Sequence, residues 1–424
     1  MRRPNTAFQP VRIQQPTLVS SFSYDEQKRL HLDDRSKRYF HDPPTARNHN
    51  NDTKHAADLN YGFERYHEQP SAPPPVVEAL ASELLRTQVI TWRGILTKLC
   101  TAWSCHPEAP PMFRDGFELN VMMLGDTLIM EEVPPSAYEL AAQARTSKSQ
   151  KQQRAAYYGY SFESYCTATK PYKMASSVLT EPHATSGATT PPGWGEDVNT
   201  NRQWCHIVKT RLGDTRIIIG GEVDCVESAA TEASTARESV VELKTSIQPR
   251  NEQDQMRLHA KMLRIYMQSF LLGVQSIVLG FRDQKGTLLS HEHYRTMDLP
   301  RLVRGKPGQW NANDNLAFGA HTLHWLHQTV RSEMERWSFF VAGRLKQAEQ
   351  SFLGHLPLPC VEDAELDYPV YRVSFQPPFG QVTLRYVPPE ELQLDGRRAN
   401  RCGLVPTEFY RWATMPMPTA AEVS

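Results

Sequence analysis

The chain has 424 residues, 40% of them hydrophobic, and its 47 basic residues balance 47 acidic ones at a pI near 7.3. That is enough apolar content for a sizeable core, built as one large domain or two intimate lobes. A net charge of zero argues against a diffuse, non-specific binder of nucleic acid, so any positive charge that meets a polyanion must be concentrated locally.

Residues 1–90 mix short apolar pieces with Pro and Asn. The start, Met1-Arg2-Arg3-Pro4-Asn5, carries no apolar secretory region. Residues 45–53 read as a polar loop. Pro70 to Pro75 precedes an apolar spacing over 76–85 that predicts an amphipathic helix, with Pro suited to its first turn. Residues 89–100 read as a strand passing into a helix. Residues 117–131 predict a hairpin turning at Gly125-Asp126. Residues 141–154 form a polar stretch, a loop or flexible helix extension. A helix is expected from about Ala155 and carries Glu163. Residues 176–201 are rich in Thr, Pro, Gly and Ser and predict a long loop. Strands follow over 206–208 and 216–225. After an Ala/Glu/Ser/Thr-rich link at 227–239, another strand carries Glu242. Met256, Leu263, Met267 and Phe270 fall at helical spacing within 253–273. Long helical patterning runs over 316–347, where the apolar stripe reads as core. A further hairpin is expected around Pro377-Pro378-Phe379-Gly380. The expected division is one catalytic domain over 1–390 and a C-terminal extension over 391–424, disordered towards its end.

Seven cysteines at irregular spacings, with no Cys-x-x-Cys pair, suit a reducing compartment and argue against a zinc site. Cys166 and Cys225 are expected as reduced core residues. His291-Glu292-His293 offers two imidazoles, but it lies in a polar stretch after a glycine turn, which argues against a metal there. The most apolar stretch, 269–281, is interrupted by Gln275-Ser276 and too short to span a bilayer, so a soluble intracellular chain is expected. Arg35-Ser36-Lys37-Arg38 and the run 148–154 are weak import signals of a kind usually found in solvated loops.

The most informative features are two acidic triplets in apolar runs. Glu222-Val223-Asp224 follows Ile217-Ile218-Ile219-Gly220-Gly221, and Glu242-Leu243-Lys244 follows Val240-Val241. On a strand, residues i and i+2 share a face and lie roughly 6.5–7 Å apart. Glu222 and Asp224 therefore point one way, while Val223 and Cys225 point the other. Glu242 and Lys244 share a face in the same manner. Clustered carboxylates in a low-dielectric setting are costly, and a hard divalent cation relieves that cost. A lysine beside them can position a water or stabilise developing charge. An acid, a spacer and Glu-x-Lys form a pattern similar to that of a large class of metal-dependent nucleases. Either triplet alone also fits a solvated strand face with an ion pair. Glu163 alone reads as an exposed residue on an aromatic helix, Arg93 as a surface ion-pair residue, and Gln268 as a polar helix-face residue.

Taken together, the motifs resemble the DXO/Rai family of RNA 5′-end decapping nucleases, fungal members above all. They are Trp92-Arg93-Gly94 with Thr97-Lys98; Gly159-Tyr160-Ser161-Phe162-Glu163; Gly221-Glu222-Val223-Asp224; Glu242-Leu243-Lys244; and Gln268-Ser269-Phe270-Leu271-Leu272-Gly273, continuing into Ile277 to Asp283. Asn201 to Cys205 and Asp58 to Phe63 fit as well. The resemblance covers roughly residues 8–330, without departure at the motif positions.

The resemblance implies that Glu163, Glu222, Asp224, Glu242 and the carbonyl of Leu243 hold one or two Mg2+ or Mn2+ ions. It implies that Lys244 and Gln268 contact the scissile phosphate or the attacking water, and that Arg93 binds an RNA phosphate with its planar guanidinium. Lys98 and Arg282 are further candidates for local positive charge. The implied fold is mixed α/β, with a central sheet carrying the acidic site, a second sheet and surrounding helices. The implied activity is hydrolysis at RNA 5′ ends in quality control: removal of incomplete caps, of 5′ triphosphate as pyrophosphate, or of NAD-type caps. A nuclear location and association with a nuclear 5′→3′ exoribonuclease are also implied. Two rivals remain at this stage: a DNA endonuclease with the same kind of metal site, and a non-catalytic scaffold that stabilises an exoribonuclease.

Overall fold

The computed structural model describes residues 9–66, 87–105, 109, 113–133, 150–171, 190–227, 238–351, 368–393 and 401–414. The helix expected over 76–85, most of the polar stretch 141–154, the first part of the loop 176–201, most of the link 227–239 and the tail after Met415 lie outside these residues.

Two sheets carry the fold. The first contains β1 (Ile13–Tyr24), β2 (Leu30–His31), β4 (Val89–Trp92), β5 (Phe117–Leu124), β6 (Thr127–Glu132), β8 (Gln203–Leu212), β9 (Thr215–Glu222), β14 (Val370–Phe375) and β15 (Thr383–Val387). The second contains β3 (Tyr39–Phe40), β7 (Thr167–Ala168), β10 (Cys225–Val226), β11 (Val240–Ile247), β12 (Ser276–Arg282) and β13 (Leu288–Arg295). Their orders are β15-β14-β5-β6-β4-β9-β8-β1-β2 and β13-β12-β11-β10-β3-β7. Both expected hairpins form, as β5–β6 and β14–β15. The helices that matter here are α1 (Arg93–Thr101), α2 (Gln150–Cys166), α3 (Glu252–Leu272) and α4 (Ala312–Ser351). Among the described residues no helix is long and apolar enough to cross a membrane.

Strand alternation sets the layers. Ile217 and Ile219 of β9 enter a large core with α1, α3 and α4, while Ile218 between them faces a second core on the far side of the sheet. Ile277, Leu279 and Phe281 of β12 reach the same large core from the six-stranded sheet. Val278 faces the other way, joining Val241 and Leu243 of β11 against Phe162 and Tyr165 of α2. Helix α3 therefore lies between the two sheets, with buried residues spread over most of its circumference. Asn251 caps its start by accepting from the Asp254 amide, and Gly273 ends it in the left-handed conformation that a side chain resists.

Two expectations are resolved in detail and one changes. The helix that carries Glu163 begins at Gln150, so 150–154 are helical rather than loop. The patterning over 316–347 is one continuous helix, with Leu323, Leu326 and Val330 fully buried, which makes that stripe core. The strand expected over 216–225 is two strands in two sheets: β9 ends at Glu222 and β10 starts at Cys225. The acidic residues are therefore not carried by one central sheet. Residues 401–414 pack back on the nine-stranded sheet, with Leu404 and Val405 in its outer core. Six cysteines, all but Cys360 (which lies outside the described residues), are buried.

Candidate active site

The crossing from one sheet to the other builds the site. At Val223 the chain is still extended, its amide donating to the Trp204 carbonyl at 2.8 Å. Val223 and Cys225 are buried while Glu222 and Asp224 are half-buried, so the period-2 alternation survives the change of sheet. Strand β10 pairs with β11 through Cys225 opposite Val241, and this brings Asp224 beside Glu242 and Lys244. The Leu243 amide donates to Asp224 Oδ2 at 2.6 Å.

Close approach of helices at this edge depends on glycine. A Cβ on Gly221 would stand 3.0 Å from both Arg93 Cβ and a Leu272 methyl. Gly280 of β12 leaves the space filled by the Phe162 ring, and Phe162 precedes Glu163 on α2. Strand β4 passes directly into α1 at Trp92–Arg93, which aims Arg93 across the gap between the sheets.

Arg93 is not a surface residue. Its Nη1 lies 2.8 Å from Glu242 Oε2, with 13% of the arginine side chain and none of the glutamate exposed. Lys244 Nζ lies 2.6 Å from Glu242 Oε1 and 3.6 Å from Asp224 Oδ2. Each carboxylate oxygen of Glu242 thus faces a cation. Gln203 donates to Glu222 Oε2 at 3.2 Å.

The charges answer to this crowding. Burial, and then repulsion from Asp224, push Glu222 up to about 7, against the pull of Arg93 and Lys244. Burial and the charge of Asp224 raise Glu163 well above the usual carboxylate range. Asp224 is raised chiefly by burial. Burial also acts to raise Glu242, but Arg93 and Lys244 outweigh it and hold that carboxyl below its usual range. Lys244 is raised: burial opposes its charge, and the carboxylates around it more than compensate.

Four carboxylates against two cations leave an excess of negative charge in a low-dielectric cleft, and hard oxygen donors suit a divalent ion. The donor set, hard carboxylate oxygens crowded in a buried cleft, fits such an ion. No three of these carboxylates bring oxygens within 4.8 Å of one another. The cause is local: Arg93, Lys244 and the Leu243 amide draw the carboxylates towards themselves.

Gln268 sits on α3 between two residues that flank the cleft. Lys261, two turns before it, places Nζ 2.5 Å from the Thr245 carbonyl on β11, and Leu272, one turn after it, faces Gly221. Helical periodicity puts all three on one stripe. Lys261 was not singled out from the sequence. Its signal is the seven-residue spacing to Gln268; burial of its ammonium lowers its pKa, and the charges of Lys244 and Arg282 add to that. Lys98, by contrast, is occupied by Glu132 at 2.8 Å, and Arg282 stacks on Tyr158.

Acids at the end of one strand and the start of the next, Glu-x-Lys on the neighbouring strand and a glutamate from a packed helix define a nuclease of the PD-(D/E)XK class. The family model described as RAI1-like PD-(D/E)XK nuclease matches residues 14–409. The chain belongs to that family. It is 37% identical over 456 residues to the decapping nuclease RAI1 of Mycosarcoma maydis, covering 94% of this chain and 87% of the relative. The fold is similar to that of S. pombe Rai1 in complex with 3'-FADP, with a TM-score of 0.60 at 25% identity over 91% of this chain and 96% of that one. It is also similar to that of Candida albicans Rai1 in complex with pU5-Mn2+, with a TM-score of 0.70 at 20% identity over 97% and 98% of the two chains. A mixed α/β nuclease fold and a hydrolase are thereby established for this chain.

Proposed function

We propose that this protein is a divalent-metal-dependent nuclease that hydrolyses the capped or phosphorylated 5′ end of RNA. The observation that carries the reading is the convergence of Glu163, Glu222, Asp224, Glu242 and Lys244 on one cleft between two sheets, in a chain 37% identical to a decapping nuclease. The relative complexed with 3'-FADP supports a pocket for a nucleotide-cofactor end.

Glu163, Glu222, Asp224, Glu242 and the Leu243 carbonyl are the residues that would hold Mg2+ or Mn2+. Such an ion supplies activation of the attacking water and neutralisation of phosphate charge. Lys244 orients that water and stabilises charge developing on the phosphoryl oxygens. Arg93, already fixed by Glu242, presents its remaining N–H groups to a phosphate. Gln268 positions the scissile group from the α3 side. Water oxygen joins phosphorus, and the leaving oxygen departs with a proton.

The substrates proposed are incomplete caps, 5′ triphosphate and NAD-type caps, as part of RNA 5′-end quality control. The family resemblance further supports a nuclear location and a 5′→3′ exoribonuclease partner, which co-purification from nuclear extract would test.

The deciding experiment is hydrolysis of RNAs bearing a 5′ triphosphate, an unmethylated cap, a methylated cap or an NAD cap, by wild type and Glu242→Ala, with Mg2+ or Mn2+ and with duplex DNA as control. Release of a 5′ product that is lost in the variant is expected. Cleavage of the DNA alone would mark a DNA endonuclease, and inertness on every end a scaffold.

A further inference from the structure

Away from the cleft, the fold assembles a second set of metal-type ligands. His291 and His293 are two apart on β13, so both imidazoles stand on one face of the six-stranded sheet. The register runs His293 to Val278 to Leu243, which puts them on the face opposite Glu242 and Lys244. Glu292 between them faces away and accepts from the Tyr294 hydroxyl. The segment after β3 crosses that same face. Ala46 donates to the Leu288 carbonyl at 3.1 Å, and Leu288 donates to Ala57 at 3.0 Å. This anchoring brings in Asp42, a residue that sequence spacing cannot connect with β13.

Asp42 Oδ1 lies 3.0 Å from His291 Nε2 and 3.6 Å from His293 Nε2. The three ligand atoms lie within 4.8 Å of one another. Bonds of 2.0–2.1 Å to a tetrahedral ion would place neighbouring ligand atoms about 3.3–3.4 Å apart. The two measured distances bracket that edge. Among the described residues this is the only trio of histidine, cysteine or acidic side chains with such convergence.

The surroundings of His291 favour its neutral imidazole. Phe40 packs edge-on against His293 at 5.4 Å, and Arg47 contributes positive charge near His291. Burial lowers the pKa of His291, with Asp42 opposing. His291 Nδ1 is buried without a protein partner, so the ring engages through Nε2. Two imidazole nitrogens and one carboxylate suit a borderline ion such as Zn2+ and not Mg2+. The sequence expectation was of no zinc site. That expectation looked for cysteine pairs and read the histidines without Asp42.

We propose that Asp42, His291 and His293 form a zinc-class metal site on the outer strand of the six-stranded sheet. The ion clamps the 40–46 segment to β13, with its fourth position open to water on the side where Asp42 and His293 are exposed.

The test uses the full chain with Mg2+ in excess, which occupies the oxygen ligands of the cleft as a competing metal site. Zn2+ is titrated against a chromophoric chelator, and Co2+ absorption reports coordination geometry. One equivalent bound with a tetrahedral Co2+ spectrum is expected. Asp42→Asn and His293→Gln should each weaken binding by more than the roughly 10–100-fold that loss of an outer partner costs. Their side chains are 67% and 48% exposed, so neither substitution threatens the fold. Absence of a tetrahedral spectrum, or a spectrum unchanged by both substitutions, overturns the proposal.

Discussion

Arg93 and Glu242 are 149 residues apart in the chain, yet their side chains form a buried ion pair at 2.8 Å that links the first turn of α1 to the central strand of the active cleft. One group from the nine-stranded side of the gap thereby fixes the key carboxylate on the six-stranded side. Breaking a buried pair by removing one partner leaves the other charge uncompensated, at a typical cost of about 3–5 kcal/mol. Lys244 still faces Glu242, so Arg93→Met is expected at the low end, about 3 kcal/mol. Urea unfolding near neutral pH measures it. A loss below about 1 kcal/mol would mean that Lys244 alone compensates Glu242.

The raised carboxylates make metal binding and stability depend on pH in opposite ways. Glu222 rises from an ordinary 4.5 to about 7, so the metal-free fold binds more protons than the unfolded chain between those values. The stability this group contributes is fully present below 4.5 and is lost as pH rises through about 7. A bound cation needs the ionised form, so its affinity should climb over the same interval. Melting temperatures recorded from pH 4.5 to 8, with and without Mn2+, should diverge upwards with pH. Parallel curves would remove Glu222 from the metal-binding set.

Much of the site was legible because strand periodicity is short-ranged and strict. The alternation at Glu222-Val223-Asp224 and at Glu242-Leu243-Lys244 gave each side chain its direction before any tertiary contact was known. What alternation cannot report is which sheet a strand joins. The switch between Glu222 and Cys225 is decided by pairing: β9 lies between its hairpin partner β8 and the distant β4, whereas β10 joins β11 and the distant β3. Arg93 is a similar case: its type suits phosphate, but only the packing of α1 at Gly221 shows that it meets Glu242 first. Lys261 and Asp42 escaped notice for the same reason, since each acquires its neighbours through folding alone.

Lys244 and Glu242 should separate under substitution, although they touch. Glu242→Gln removes a metal ligand, so both metal affinity and hydrolysis should fall. Lys244→Ala removes a cation standing 2.6 Å from that ligand, so metal affinity should hold or rise while turnover drops by about 10²–10³. Mn2+ calorimetry beside single-turnover hydrolysis distinguishes them. Weaker metal binding in Lys244→Ala would show that the lysine organises the ligands rather than the reaction.

Gly280 gives the cleanest test of whether packing behind the site sets its geometry. A Cβ there would stand 2.5 Å from the Phe162 ring, closer than real contacts allow, so either the ring or β12 must move. Overpacking of this kind costs about 1–3 kcal/mol. Phe162 is followed directly by Glu163, so displacement of the ring carries a proposed metal ligand with it. Gly280→Ala should therefore lower activity more than Gly220→Ala, whose Cβ meets only the Trp92 ring at 3.0 Å. Phe162→Leu placed in the Gly280→Ala background should recover stability, because the smaller side chain vacates the contested space. Coupling of the two in a double-mutant cycle should exceed about 0.5 kcal/mol, the lower bound for residues in contact. Additive effects would mean that β12, and not the ring, yields to the methyl group, and that Glu163 is held in place by the rest of α2.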